Sequence, residues 1–136
     1  MSKIHFSGMI LGTGIDIIEV ARIRASHEKF GDRFLNRILR PAEIAYCLSN
    51  RNPAPFLAAR FAAKEAISKA FGTGIGKQLG WQDLEVGRKE SGEPFVILHD
   101  GGQKLFERRG GTRFQLSLSH TDNYAAAVAV LEGPET

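Results

Sequence analysis

Sixteen residues, Phe56–Phe71 (FLAARFAAKEAISKAF), set the terms on which this chain can fold. Six of them are alanine and none is glycine or proline, so the segment reads as a helix, and Gly72 stands where a left-handed C-terminal cap belongs. Ala62, Ala63 and Ala66 are small enough to let another backbone or a ligand come close to this helix. Around it the patterning alternates less regularly. Met9–Glu19 reads as a buried strand rich in β-branched residues, and Val20–Leu39 as a helix interrupted at Gly31-Asp32. Pro41-Ala42-Glu43 opens another helix, which ends before the loop Asn50–Pro55. Trp81–Val86 and Pro94–His99 read as strands about a turn at Glu90–Glu93, and Gly101–Arg109 as a short helix. Arg113–Ser119 alternates, with Phe114, Leu116 and Leu118 on one face, and after a turn at His120–Asn123 the last strand is Tyr124–Leu131. Helices and strands are segregated, which predicts a single α+β domain whose sheet is largely antiparallel.

A chain of 136 residues has room for one core, and 43% hydrophobic with 24% charged residues excludes wholesale disorder. The lone Cys47 excludes an internal disulfide and a multi-cysteine zinc site. No apolar run approaches the roughly 20 residues that cross a bilayer, and Met1–Gly8 has no signal-peptide core, so a cytoplasmic protein with no membrane partner is expected. Charge is uneven. Arg22–Arg40 holds six basic residues against two acidic, a net of +4, so from a total of +3 the remainder is −1. Such an element suits an acidic partner, or it is a solvated helix face.

Three common enzyme signatures fail. Gly72–Lys77 lacks the first glycine and the final Ser/Thr of a phosphate loop and follows its helix instead of preceding it. Gly12-Thr13-Gly14 has no third glycine at position 17, and no Gly-x-Ser-x-Gly surrounds Ser119-His120. What survives is Asp16 inside an apolar strand, where a carboxylate either faces solvent or has a partner such as a metal. Glu65 lies among the alanines, either as a surface partner of Lys69 or as a second acid. Arg60, Lys64 and Ser68 fall on one stripe of the same helix, and with Lys69 they put three basic groups beside one carboxylate. A phosphate-bearing ligand held partly through a divalent cation would use them all.

Three segments together resemble the holo-acyl carrier protein synthases, the small bacterial 4′-phosphopantetheinyl transferases: Gly14–Ile23 (GIDIIEVARI), Arg60–Ala70 (RFAAKEAISKA) and Ser117–Thr121 (SLSHT). The Gly72–Gly76 run, the Gly92-Glu93-Pro94 turn and Phe34–Glu43 are similar in spacing, and the likeness runs from Met9 to Leu131. It implies a transferase domain over 9–131, preceded by an extension at 1–8 and followed by a tail at 132–136. It implies transfer of the phosphopantetheine arm of coenzyme A to a serine of an acidic apo-acyl carrier protein in fatty acid biosynthesis, releasing adenosine 3′,5′-bisphosphate. It also implies Mg²⁺ on Asp16 and Glu65, catalysis by Asp16, Glu65 and Lys69, with Glu65 or a water on the metal as base, and a homotrimer with sites between subunits. Coenzyme A is expected on Arg60, Lys64, Lys69, Gly72, Pro94, Ser119, His120 and Thr121, and the carrier on Arg22 and, more peripherally, Arg24. A nucleic-acid module built on Arg22–Arg40 is the rival; it leaves Asp16, Glu65 and Lys69 without a purpose, and no nucleic-acid partner is expected.

Overall fold

A computed structural model describes residues 8–135, so positions 1–7 of the expected N-terminal extension lie outside the described residues. The order along the chain is β1 (Met9–Glu19), α1 (Val20–Phe30), α2 (Asp32–Ile38), α3 (Pro41–Leu48), α4 (Ala54–Phe71), a 3-10 turn at Trp81–Asp83, β2 (Leu84–Arg88), β3 (Pro94–Leu98), α5 (Asp100–Arg108), β4 (Arg113–His120) and β5 (Tyr124–Gly133). The strands form a three-stranded antiparallel sheet in the order β1-β5-β4 and a separate β2-β3 hairpin. This is the α+β architecture the patterning predicts.

Helix α4 starts two residues ahead of the alanine-rich run, because Pro55 sits in its first turn, where a missing N–H leaves no bond unmade. It ends on Gly72 at φ 84°, the left-handed cap. Fourteen of its eighteen residues are buried, so α4 is a central helix with neighbours on nearly every side. The alanines therefore serve the core of one chain and are not a surface for packing subunits together.

Two glycines bring β1 onto this helix. A Cβ on Gly12 would overlap the carbonyl oxygen of Ala70, and one on Gly14 that of Ala66. Main chain meets main chain there, and Ala125, Ala127 and Ala129 of β5 extend the flat seat for α4. The period of two then puts Gly14, Asp16 and Ile18 on the helix side and Ile15 and Ile17 on the other. Each of these two isoleucines is 69% exposed. The expected buried strand is thus an edge strand with one covered face, its apolar character continuing on an outer face shared with Val128.

Three smaller departures have local causes. Trp81-Gln82-Asp83 is a 3-10 turn instead of the start of a strand, since the Asp83 carboxylate accepts the Gly80 N–H at 2.8 Å and the Gly101 N–H at 3.2 Å. Strand β4 runs on to His120. Strand β5 runs on to Gly133, because Glu132 accepts at its carbonyl from Thr112 and at its carboxylate from Arg113.

Candidate active site

The contact between β1 and the middle of α4 gathers three charged groups. Asp16 Oδ1 lies 3.2 Å from Lys69 Nζ, and that ammonium also donates to the Ile15 carbonyl at 2.9 Å. Glu65 stands one turn before Lys69 on the same helix. Burial first, and then the Asp16 carboxylate, push the Glu65 carboxyl above its ordinary range, with Lys69 offsetting part of this. Lys69 therefore reaches across to the strand, and the simple helical pair with Glu65 is not what forms. Ile15, Asp16, Ile17 and Lys69 line an open hollow of about 320 Å³.

Among the described residues no group of three or more Asp, Glu, His or Cys side chains comes together. Asp16 and Glu65 make two hard oxygen donors close enough for the Asp16 charge to add to the effect of burial on the Glu65 carboxyl. This donor set fits Mg²⁺, which commonly takes one or two carboxylates and completes its shell with water and substrate phosphate oxygens.

Lys64, expected beside the coenzyme, is elsewhere. Its side chain is fully buried, and Nζ donates to Glu43 Oε1 at 2.8 Å, the Ile38 carbonyl at 2.7 Å and the Trp81 carbonyl at 3.2 Å. Glu43 in turn accepts the Arg40 N–H at the head of α3 (2.7 Å) and the Val86 N–H of β2 (2.8 Å). All three ammonium donors are used, so Lys64 ties α2, α3 and β2 to α4 and has nothing left for a ligand. Ser68, on the same stripe, donates to the Glu65 carbonyl.

On the other flank of α4, a cavity of about 170 Å³ is lined by Arg60, His120, Pro94 and, unforeseen, Tyr46, Phe56 and Arg88. Arg60 is 4% exposed and its Nε has no hydrogen-bond partner. The guanidinium carbons of Arg60 and of Arg88 each lie 4.4 Å from the centre of the Tyr46 ring. Phe56 stands edge-on to both Tyr46 (6.0 Å) and His120 (4.8 Å). Tyr46 and Arg88 come from α3 and β2, and no local signal marks either as part of a site.

The remaining expected contacts are dispersed. Ser119 pairs in register with Ala126 and shares the outer sheet face with Ile15 and Val128, opposite to His120. Thr121 shapes the β4–β5 turn, its hydroxyl accepting the N–H groups of Asn123 and Tyr124. Gly72 is about 18 Å along α4 from Arg60 and caps the helix, with Arg109 donating to the neighbouring Phe71 carbonyl. Arg22 is exposed and Arg24 half-buried on α1, which follows β1 without a loop.

The two flanks face apart. Arg60 and Glu65 are about 140° apart around α4, and Asp16 is separated from Leu118, which lines the cavity, by strand β5, roughly 10 Å.

No helix of the described residues is long and apolar enough to cross a membrane. The pattern describing the 4′-phosphopantetheinyl transferase superfamily matches residues 12–129. A holo-[acyl-carrier-protein] synthase of Koribacter versatilis is 53% identical over 124 residues, which is 91% of this chain and 99% of that protein. The crystal structure of holo-[acyl-carrier-protein] synthase from Neisseria meningitidis superposes with a TM-score of 0.84 at 36% identity, covering 90% of this chain and 98% of that one. The Bacillus anthracis enzyme, in complex with CoA (3′,5′-ADP), superposes at 0.75 with 41% identity, over 92% and 98%.

Proposed function

We propose, from the premise that this chain belongs to the 4′-phosphopantetheinyl transferase superfamily and is a transferase, that it moves the phosphopantetheine arm of coenzyme A onto a serine of an apo-acyl carrier protein. The physiological setting is fatty acid biosynthesis in the cytoplasm. The observation that carries this reading is the meeting of Asp16, Glu65 and Lys69 where β1 lies on α4, with the Glu65 carboxyl raised first by burial and then by Asp16. Such a cluster is made to receive phosphate and move a proton.

The carrier serine Oγ attacks the β-phosphorus of the pyrophosphate. The bond from that phosphorus to the bridging oxygen breaks, and adenosine 3′,5′-bisphosphate leaves with the electron pair. Catalysis of such a step is mostly positioning and charge neutralisation. Glu65, its carboxyl raised chiefly by burial, takes the serine proton, while Asp16 is paired with Lys69. Lys69 spends two of its three donors on Ile15 and Asp16 and keeps the third for a phosphate oxygen. Mg²⁺ bound by Asp16 and Glu65 would supply charge neutralisation at the pyrophosphate.

Arg60 and His120 take the nucleotide end of the coenzyme in the cavity on the other flank. With the two halves facing apart in one chain, a head-to-tail contact between copies would bring the cavity of one beside the carboxylates of the next, and closing such a contact makes a ring. The exposed Ile15, Ile17 and Val128 supply an apolar face for it, and Ser119 lies there too. The resemblance sets the number of copies in that ring at three, a homotrimer with shared sites. Arg22, with Arg24 as a more peripheral contact, receives the acidic carrier.

The deciding experiment is the intact mass of an apo-carrier after incubation with coenzyme A, Mg²⁺ and this protein. A gain of one phosphopantetheine is the expected result, and an unchanged mass with every carrier tried overturns the reading.

A further inference from the structure

Strand β1 carries an irregularity that decides which way Asp16 faces. Its register against β5 steps at Leu11, with Ile10 opposite Glu132 and Gly12 opposite Leu131, so Leu11 is the extra residue of a β-bulge. Leu11 packs against the core and Gly12 lies on the Ala70 carbonyl, two consecutive residues turned to the same side. Were the register of Ile10 to continue along the strand, Asp16 would stand opposite Ala126 instead of Ala127 and face outward, away from Glu65 and Lys69. A bulge leaves its extra residue without a partner in the ladder. Arg109, which closes α5, supplies one. It is half-buried and forms no ion pair among the described residues. Its Nη2 donates to the Leu11 carbonyl at 3.1 Å, and its Nη1 donates to the carbonyl of Phe71, the last residue of α4. Both acceptors belong to the groups that regular structure leaves over, a bulge carbonyl and a helix-end carbonyl. The guanidinium also lies at the negative end of the α4 dipole, with Nη1 3.4 Å from where a Cβ on Gly72 would stand.

We propose that Arg109 is a positioning residue for the transfer: its fork pins the β1 bulge to the end of α4 and so keeps Asp16 turned toward Glu65 and Lys69. This rests on the proposed function. Arg109 acts at a distance, since about 9 Å of α4 separates Phe71 from Glu65 and roughly 17 Å of β1 separates Leu11 from Asp16. The glycines of β1 set how close the strand comes to the helix, whereas the fork fixes where along the strand the register steps. Freed of it, the bulge can migrate toward Asp16 while helix and sheet persist. The loss then falls on the chemical step, because a misplaced reacting group costs rate even where binding is intact. The coenzyme and carrier contacts on Arg60, His120 and Arg22 lie on other elements.

The test is the rate of carrier modification by the full chain with Mg²⁺, per folded molecule as measured by urea melts, beside hydrogen exchange of the β1 amides. Arg109→Met keeps the unbranched stem and removes every donor. It should lower kcat at least tenfold, with KM for coenzyme A and for the carrier within about threefold of the parent. The control is Leu105→Ala, a buried residue of the same helix that touches neither carbonyl. It should lose stability too, yet keep its kcat within about twofold. The β1 amides should exchange at least tenfold faster in Arg109→Met than in this control. Arg109→Lys keeps a cation at the helix end without the planar fork, and its kcat should fall roughly three- to tenfold, between the parent and Arg109→Met. If Arg109→Met behaves like Leu105→Ala, or raises KM for coenzyme A alone, Arg109 does not position the site and the proposal falls, while carrier modification still stands. A parental kcat in Arg109→Lys has the same meaning, and it decides the matter where Arg109→Met does not fold. Failure of the parent to modify any carrier overturns both.

Discussion

Helix α4 presents two lysines five residues apart, each beside a carboxylate from another element, and the two sites have opposite characters. At Lys64 the ion pair is 2.8 Å long and fully buried; every donor on the ammonium has an acceptor, and the glutamate oxygens take two backbone N–H groups as well. At Lys69 the pair is 3.2 Å long and open to solvent, and a second carboxyl, Glu65, is held up first by burial and then by Asp16. The first arrangement is complete and holds four elements together. The second is incomplete and has capacity for a substrate. Satisfaction of the polar groups separates them better than residue type, spacing or distance does.

The comparison breaks most visibly if the incomplete site can lose a charge unharmed. Asp16→Asn and Glu65→Gln keep shape and remove one charge, and each should lower carrier modification at least ten-thousandfold, ~5.5 kcal/mol, with an unchanged circular dichroism spectrum. Near-normal transfer at low Mg²⁺ in either variant would remove that residue from the site. The complete site should fail differently. Lys64→Met leaves Glu43 buried without its cation and should cost about 3–5 kcal/mol in urea unfolding. The folded fraction should keep its kcat within a few-fold. Adding Glu43→Gln should return about 1 kcal/mol or more by removing the stranded charge.

The dryness of the buried flank has its own reporter. Cys47, on α3 near Glu43 and Arg60, has its thiol pushed from 9.0 up to about 11, chiefly by burial. The folded chain keeps this proton where the unfolded chain loses it. Stability should therefore fall by about 2–3 kcal/mol as pH rises from 9 to 11. Cys47→Ala should flatten that part of the profile, measured by urea melts at each pH. The smallest effect tests whether an exposed, unsatisfied charge outside the cluster also signals function. Arg22 has no ion-pair partner among the described residues. Arg22→Glu should raise KM for the carrier at least tenfold, about 1.4 kcal/mol, leave KM for coenzyme A unmoved, and exceed the effect of Arg24→Glu. A weakened coenzyme and an unaffected carrier would assign α1 to the nucleotide instead.

The contrast between the lysines also marks where one-dimensional information stops. Helix α4 is legible because an alanine-rich run without breakers has few other conformations, and its end is legible in Gly72. Asp16 stands out because a carboxylate in an apolar strand needs a reason. Lys64 does not stand out: at i+4 from Arg60 it looks like a member of the same basic stripe, and its partner Glu43 is 21 residues away. The cavity is less legible still, since Tyr46, Arg60 and Arg88 come from three elements that only packing brings together. The outer face of β1 was open to misreading for another reason. An unbroken apolar strand looks the same whether its second face is covered by its own chain or left uncovered.

Gly12 and Gly14 give the cluster of Asp16, Glu65 and Lys69 an unusual kind of tolerance. Most distances across a protein core are sums of side-chain sizes, so they drift whenever one residue is exchanged for a larger or smaller one. Here the separation of β1 from α4 is a main-chain dimension, the same for every sequence that keeps these two glycines against Ala66 and Ala70. Substitutions elsewhere in the core can accumulate without resetting the gap between Asp16 and Glu65, while a single added methyl group at either glycine would reset it at once.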